Sequence, residues 1–394
     1  MRMNPLARSI GSLLFASSFF LSHGVHAQKI QGFDPKAKSV ADFSLTPFYE
    51  ANLDYVGRKP GEVIKSEVIP APAGASAWRV MYVSRTWDER LVPITGIVVA
   101  PKNGGAKAHP ILNWLHGTTG GSRTSAPSLA PNPAQNQVQR SPIAPIDYGV
   151  PYLTDFLKRG FVVVATDYYG QGAPGVHQYM VGNTAARNGL DLVRAARTMK
   201  DVAAGSDVTT FGWSQGGHAA IFTSEEQPSY APELRLRGVV AIAPGTTLIA
   251  QPINIPHVYV LARGYRDAYA VPLSEFTADG KRMIEAAGSV SISGLFRESL
   301  AMKGPFSTGE WSQEMKRALA LNVPGNRTSS APILIVHGTV DNVVMPESTK
   351  ELALRSEKNG NSIKVSWYPG QDHRTVVDQA RKEIIDWVGD GLKH

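Results

Sequence analysis

Five residues, Gly212-Trp213-Ser214-Gln215-Gly216, constrain this chain more than any other stretch. They match G-x-S-x-G. A serine that must project as a nucleophile sits on a sharp strand-to-helix turn. Such a turn brings backbones so close that glycine is needed on both sides. Gly217 adds room. The flanks agree with the motif. Val208 to Phe211 reads as a strand, and His218 to Glu226 as a helix carrying Ala219, Ala220, Ile221 and Phe222.

A strand–elbow–helix unit needs a sheet around it, and the rest of the chain supplies one. Val80 to Val83 and Thr95 to Ala100 read as strands, with Asp88, Glu89 and Arg90 as turn residues between them. Ile111 to Leu115 is a short apolar run, ended by Gly117, Gly120 and Gly121. Phe161 to Thr166, Val239 to Ala243 and Ile333 to Val336 are nearly continuous apolar runs, as strands buried on both faces should be. Asn183 to Met199 carries Ala186, Leu190, Val193 and Ala196 at helical spacing, and Ile384, Ile385 and Trp387 mark a last helix. Strands alternating with helices predict an α/β fold, a mostly parallel sheet with helices on both faces. Ser125 to Pro151 reads as a long loop. Residues 248–330 break the rhythm, with helix-like pieces at Leu273 to Ala287 and Trp311 to Leu321 and no clear buried strand. They read as an inserted, mainly helical subdomain.

A serine hydroxyl is a poor nucleophile without a base, and the base needs an orienting acid. On such a sheet the order is Ser, then Asp or Glu, then His. Ile333 to Gly338 leads into a loop carrying Asp341, and Val365 to Tyr368 into Pro369-Gly370-Gln371-Asp372-His373. Ser214, Asp341 and His373 are therefore the candidate catalytic residues. The oxyanion of an acyl-transfer transition state needs two donors. The backbone N–H of Gln215 is one candidate. The segment Trp114-Leu115-His116-Gly117-Thr118-Thr119-Gly120 offers the other, assigned to the N–H of Thr118.

Other titratable residues weigh less. Asp372 adjoins His373, and sequence neighbours rarely face each other. Asp167 precedes Ser214 in the chain and reads as a turn cap. His337 and His218 read as packed, hydrogen-bonded imidazoles. His109, His177 and His257 show no metal-ligand spacing, so no metal site and no cofactor is expected. Gly170-Gln171-Gly172-Ala173-Pro174-Gly175 fits G-x-G-x-x-G, but Pro174 interrupts it and Asp191 falls inside a helical pattern. Dinucleotide binding would need those glycines to open a helix. The segment reads as a loop beside the active site.

Composition removes whole classes. With no Cys, the chain has no disulfide, thiolate metal site or cysteine nucleophile. The net charge of +7 is spread without a run of five like charges, so no nucleic-acid partner is expected. Residues 1–27 carry Arg2 and Arg8, then a small and apolar stretch to Leu21, then Val25-His26-Ala27. This pattern predicts a signal peptide, a mature chain from about Gln28 and a secreted or periplasmic protein. The apolar run is short for a span of about 20 residues, and no stable membrane insertion is expected.

With serine, acid, histidine and HG segment in order, the chain resembles the α/β-hydrolase superfamily. More narrowly it resembles the secretory lipase (lipase A-like) family. Pro47-Phe48-Tyr49 and Pro60-Gly61-Glu62-Val63-Ile64 look like that family's lead-in. Arg85-Thr86 and Gly96-Ile97-Val98-Val99-Ala100-Pro101 look like its first hairpin, and Asp167-Tyr168-Tyr169-Gly170 also fits. The absence of Cys and the HG-Thr-Thr form of the oxyanion loop depart from fungal members. The resemblance implies Ser214, Asp341 and His373 as the triad. It also implies a core of residues 28–247 and 331–394 and a cap at 248–330 that shapes an acyl pocket. It further implies hydrolysis of small-molecule or lipid esters. A prolyl-oligopeptidase-type peptidase and a non-catalytic binding protein stay as alternatives, although the region before Ile111 is short for the β-propeller of such peptidases.

Overall fold

The structure is a computed structural model that describes residues 43–52, 55–102, 108–140, 144–246, 255–302 and 304–392. The expected signal peptide and the start of the mature chain lie outside the described residues, as do residues 248–254 of the expected cap. The nine described strands are β1 (Val63–Ile69), β2 (Ala75–Arg85), β3 (Leu91–Pro101), β4 (His109–Leu115), β5 (Val162–Thr166), β6 (Ala204–Trp213), β7 (Arg235–Ile242), β8 (Ile333–Gly338) and β9 (Ile363–Tyr368). They form one sheet in the order β1-β2-β3-β5-β4-β6-β7-β8-β9. Strands β1, β2, β3 and β5 pair antiparallel. From β5 onward every pairing is parallel.

Side chains alternate between the two faces of a strand, and a sheet covered on both sides needs apolar residues at every position. Val162 and Val164 join one core and Val163 the other; Ile333 and Ile335 join one, Leu334 and Val336 the other. The first core is closed by α2 (Gly182–Thr198), α3 (Gln215–Tyr230) and Leu352 of α8 (Pro346–Lys358). The second is closed by α1 (Leu153–Lys158), α9 (Thr375–Gln379) and α10 (Arg381–Gly391).

Between β7 and β8 lie α4 (Ile255–Tyr269), α5 (Ala278–Ala286), α6 (Ile292–Leu300) and α7 (Gln313–Leu321). They share a third core with Tyr179, Met180 and Val181. The helix expected over Leu273 to Ala287 is shorter. Thr277 ends it at the N-terminus, its hydroxyl accepting from the N–H of Gly280 at 3.1 Å. The β2–β3 hairpin reaches these helices. Trp87 Nε1 donates to the Ala268 carbonyl at 3.1 Å, and Arg90 pairs with Asp267 at 3.0 Å.

Parallel strands all point their C-terminal ends the same way, and ligand sites of open α/β sheets gather there. The segments that follow β4, β6, β8 and β9 carry Thr118, Ser214, Asp341 and His373 respectively.

Candidate active site

Strand β6 runs directly into α3, and Ser214 is the hinge between them. It takes φ 58° and ψ −115°, outside the ordinary regions for a residue with a side chain. Such a backbone costs on the order of 1–3 kcal/mol and persists only where its surroundings enforce it. The enforcement is visible here. Ser214 N donates to the Ile242 carbonyl of β7 at 2.9 Å, and its carbonyl accepts from Gly245 N at 3.0 Å and His218 N at 3.1 Å. The flanking glycines are obligatory. A Cβ on Gly216 would strike the Leu115 carbonyl at the end of β4, and one on Gly217 would lie 2.9 Å from Pro244 Cα. Gly216→Ala is therefore expected to destabilise the fold by about 1–3 kcal/mol or more. A denaturant unfolding curve superimposing on the unmodified protein would contradict that packing.

The histidine and the acid meet across two loops. His373 Nδ1–H donates to Asp341 Oδ2 at 2.7 Å. The His373 ring packs on the indole of Trp213, with centroids 5.2 Å apart, and Trp213 Nε1 donates to the His373 carbonyl at 2.9 Å. Trp213 immediately precedes Ser214, so the imidazole is anchored to the elbow itself. Both His373 and Asp341 are buried.

Asp341 is held from every side. Its Oδ1 accepts from the N–H groups of Val343 and Val344, both at 2.9 Å. His337 Nε2 lies 3.2 Å from its Oδ2 and donates to the Val344 carbonyl at 3.0 Å. Burial alone would raise the carboxyl pKa. The facing His373 and the hydrogen bonds from His337 and His373 outweigh it and hold Asp341 well below the ordinary carboxylate range. Asp341 is thus an ionised acceptor suited to fixing an imidazole tautomer and stabilising its charged form.

Asp372 does not meet His373 through its side chain. Its Oδ1 instead accepts from Arg374 N, Thr375 N and Thr375 Oγ1 at the entry to α9. Asp167 differs from the turn cap expected of it. It is buried and accepts from Thr95 Oγ1 at 2.7 Å and from Ser128 N and Oγ at 2.9 and 2.5 Å. His218 is packed as expected, with its Nε2 2.8 Å from the Asn322 carbonyl.

The loop after β4 lies against the elbow. A Cβ on Gly117 would come within 2.8 Å of the Trp213 ring. Thr118 Oγ1 shares a 2.8 Å hydrogen bond with Tyr179 OH. Gln215, first residue of α3, donates from its side-chain amide to His177 Nε2 at 3.1 Å. Two further features carried no sequence signal. Arg374 forms a two-pronged ion pair with the buried Asp147 at 3.0 and 3.2 Å, and its guanidinium lies 5.2 Å from the Trp213 ring centroid. This ties the His373 loop to the Ser125 to Pro151 loop. Among the described residues no cluster of His, Asp and Glu could hold a metal ion, and no helix is long and apolar enough to cross a membrane.

The secretory lipase family model matches residues 140–255, which contain the elbow. Lipase A of Arthroderma benhamiae aligns at 22% identity over 378 residues, covering 89% of this chain and 79% of that protein. Over residues 140–255 the chain is similar to the secretory lipase family. The fold is that of the α/β-hydrolases, and the family-model match and the lipase relatives make the chain a carboxylic-ester hydrolase. Two solved structures agree on the fold. Candida antarctica lipase A in its closed state superposes with a TM-score of 0.65 at 19% identity, covering 87% of each chain. The rice cell wall degrading esterase LipA from Xanthomonas oryzae gives 0.66 at 16% identity, covering 84% of this chain and 98% of that one. The prolyl oligopeptidase family model matches residues 296–391, the stretch that contains Asp341 and His373.

Proposed function

We propose that this chain is an exported serine ester hydrolase of the secretory lipase family, working through an acyl-enzyme. Ser214 Oγ attacks the ester carbonyl while His373 Nε2 takes its proton. Asp341 holds the imidazole through Nδ1–H and stabilises the imidazolium. The N–H groups of Gln215 and Thr118 bind the oxyanion. The C–O bond to the alcohol then breaks, and His373 returns the proton to the leaving oxygen. Water, deprotonated by the same histidine, releases the acid and restores Ser214.

The observation that carries this reading is the 2.7 Å bond from His373 to Asp341, on an imidazole packed against the residue before a strained Ser214. Residues 248–330 form the cap in this reading, and their apolar side chains shape the site for the acyl group. The substrate is a small-molecule or lipid ester. Residues 1–27 direct export, consistent with the secretory character of the family.

The prolyl oligopeptidase match supports a second reading, a peptidase on the same fold. Against it, the described strands ahead of β4 are β1 to β3 of the same sheet, not blades of a propeller. The test is a hydrolysis profile of the protein starting at Gln28 on p-nitrophenyl esters of increasing acyl length, with aminoacyl anilides alongside. Ester turnover well above anilide turnover is expected. Anilide cleavage with little ester turnover would move the assignment to the peptidase.

A further inference from the structure

The Tyr168 to Tyr179 segment follows β5 and includes the stretch that fits G-x-G-x-x-G. Its glycines open no helix. Gly170 and Gly172 take φ of 79° and 70°, and a Cβ on Gly170 would collide with the backbone of His177. The segment therefore folds back on itself. That fold presents four side chains to the two segments proposed to bind the oxyanion.

On the side of the β4 loop, Tyr168 OH donates to the His116 carbonyl at 3.1 Å. Gln171 Nε2 donates to Thr119 Oγ1 at 3.0 Å and to the Gly120 carbonyl at 2.7 Å. Tyr179 OH shares its hydrogen bond with Thr118 Oγ1. On the elbow side, His177 accepts from the Gln215 amide. His177 Nδ1–H donates to the Tyr169 carbonyl at 2.9 Å, which fixes the tautomer and leaves Nε2 as the acceptor. Burial pushes the His177 pKa down to about 3, so this acceptor stays unprotonated at neutral pH. Gln215 Oε1 has no partner among the described residues, so His177 is the amide's anchor. All these side chains are buried. The segment is braced from behind by α4, where a Cβ on Gly264 would lie 2.8 Å from His177 O and Tyr179 N.

We propose that the Tyr168–Tyr179 segment is the positioning element of the oxyanion hole, with His177 holding Gln215 and Tyr179 holding Thr118. The proposal rests on the ester-hydrolase reading above. Oxyanion stabilisation depends on donors fixed before the charge develops. The two donors come from the ends of different strands, β4 and β6. One segment bonded to both sets their separation. His177 and Tyr179 touch no reacting atom in this account; they act through Gln215 and Thr118.

Gln215→Met removes the anchor and keeps the backbone N–H. Tyr179→Phe removes one hydroxyl and keeps the ring. Each is expected to lower kcat on a p-nitrophenyl ester about 10-fold, less than the 10²–10³ for losing a donor outright. KM should stay within about twofold, since the effect falls on the transition state. Rates are taken per site titrated with a fluorophosphonate, so a smaller folded fraction does not count. Affinity for an alkyl trifluoromethyl ketone, whose adduct carries the oxyanion, should fall in step with kcat/KM. A merely structural defect would not move that affinity. Wild-type kcat per titrated site in Tyr179→Phe, or a loss of kcat with unchanged inhibitor affinity, would overturn the proposal. Tyr179→Phe decides alone should Gln215→Met fail to fold. Ser214→Ala is assayed in parallel. An active Ser214→Ala would sink the hydrolase reading itself, whereas an inactive one beside unaffected positioning variants sinks only this inference.

Discussion

Ser214→Ala is expected to lower kcat for ester hydrolysis by on the order of 10⁶, the scale of deleting the nucleophile from a serine hydrolase. The substitution removes one oxygen and nothing else. Alanine keeps the Cβ, so the backbone strain at φ 58° is unchanged, and the bonds that enforce it involve only main-chain atoms. Folding stability should therefore stay within about 0.5 kcal/mol. Asp341, His373 and the two segments proposed to bind the oxyanion stay in place, so any residual rate reports polarisation without covalent catalysis. A variant retaining more than a tenth of the original rate would mean that Ser214 is not the nucleophile.

Asp341→Asn is expected to cost on the order of 10⁴ in kcat, while Asp372→Asn changes it less than threefold. The contrast follows from who donates to whom. Asp341 Oδ2 accepts from His373 Nδ1–H, and its Oδ1 from two backbone amides. An asparagine that keeps the amide bonds on its oxygen must turn its NH₂ toward His373. It then favours the imidazole tautomer protonated at Nε2, which cannot take the proton from Ser214. It also removes the negative charge that stabilises the imidazolium. Asp372 has no such role, because its Oδ1 is occupied by Arg374 and Thr375. Steady-state kinetics on one activated ester decide between the two carboxylates. Equal losses, or a larger loss at Asp372, would contradict the orientation seen here.

The candidate site was legible in sequence where residue type and neighbourhood coincide. Gly-x-Ser-x-Gly after a β-branched strand leaves few alternatives, and Asp341 and His373 each follow a strand that the sheet must bury. The sheet itself was legible for the same reason: β5 and β8 have no polar face to hide. Strand β1 was not. It is an edge strand with Ser66, Glu67 and Val68 exposed, so its apolar signal is weak. Helix α8 is mostly polar, with Leu352 its one large buried apolar side chain, and the spacing gave nothing to read. Helix α4 does carry Val258, Leu261, Ala262 and Tyr265 at helical spacing. Gly264 hides it, a residue that breaks helix patterns but is needed here for the close approach to His177 and Tyr179.

Partners brought together by folding left no trace at all. His337 reads as an ordinary packed histidine, yet it closes the ring of donors on Asp341. His177 sits in a segment whose glycines mimic a dinucleotide fingerprint, and its partner Gln215 is on another strand's end. Arg374 is next to His373 in sequence, but its partner Asp147 lies in a loop read only as loop. Spacing cannot report a contact that the topology creates.

The most direct test of Ser214 as the activated nucleophile is stoichiometric labelling with a fluorophosphonate, followed by mass spectrometry of the proteolysed protein. One label per chain, on the peptide carrying Gly212-Trp213-Ser214-Gln215-Gly216 and absent from Ser214→Ala, is the expected result. Folded protein that takes up no label, or takes it up at another residue, would contradict the account.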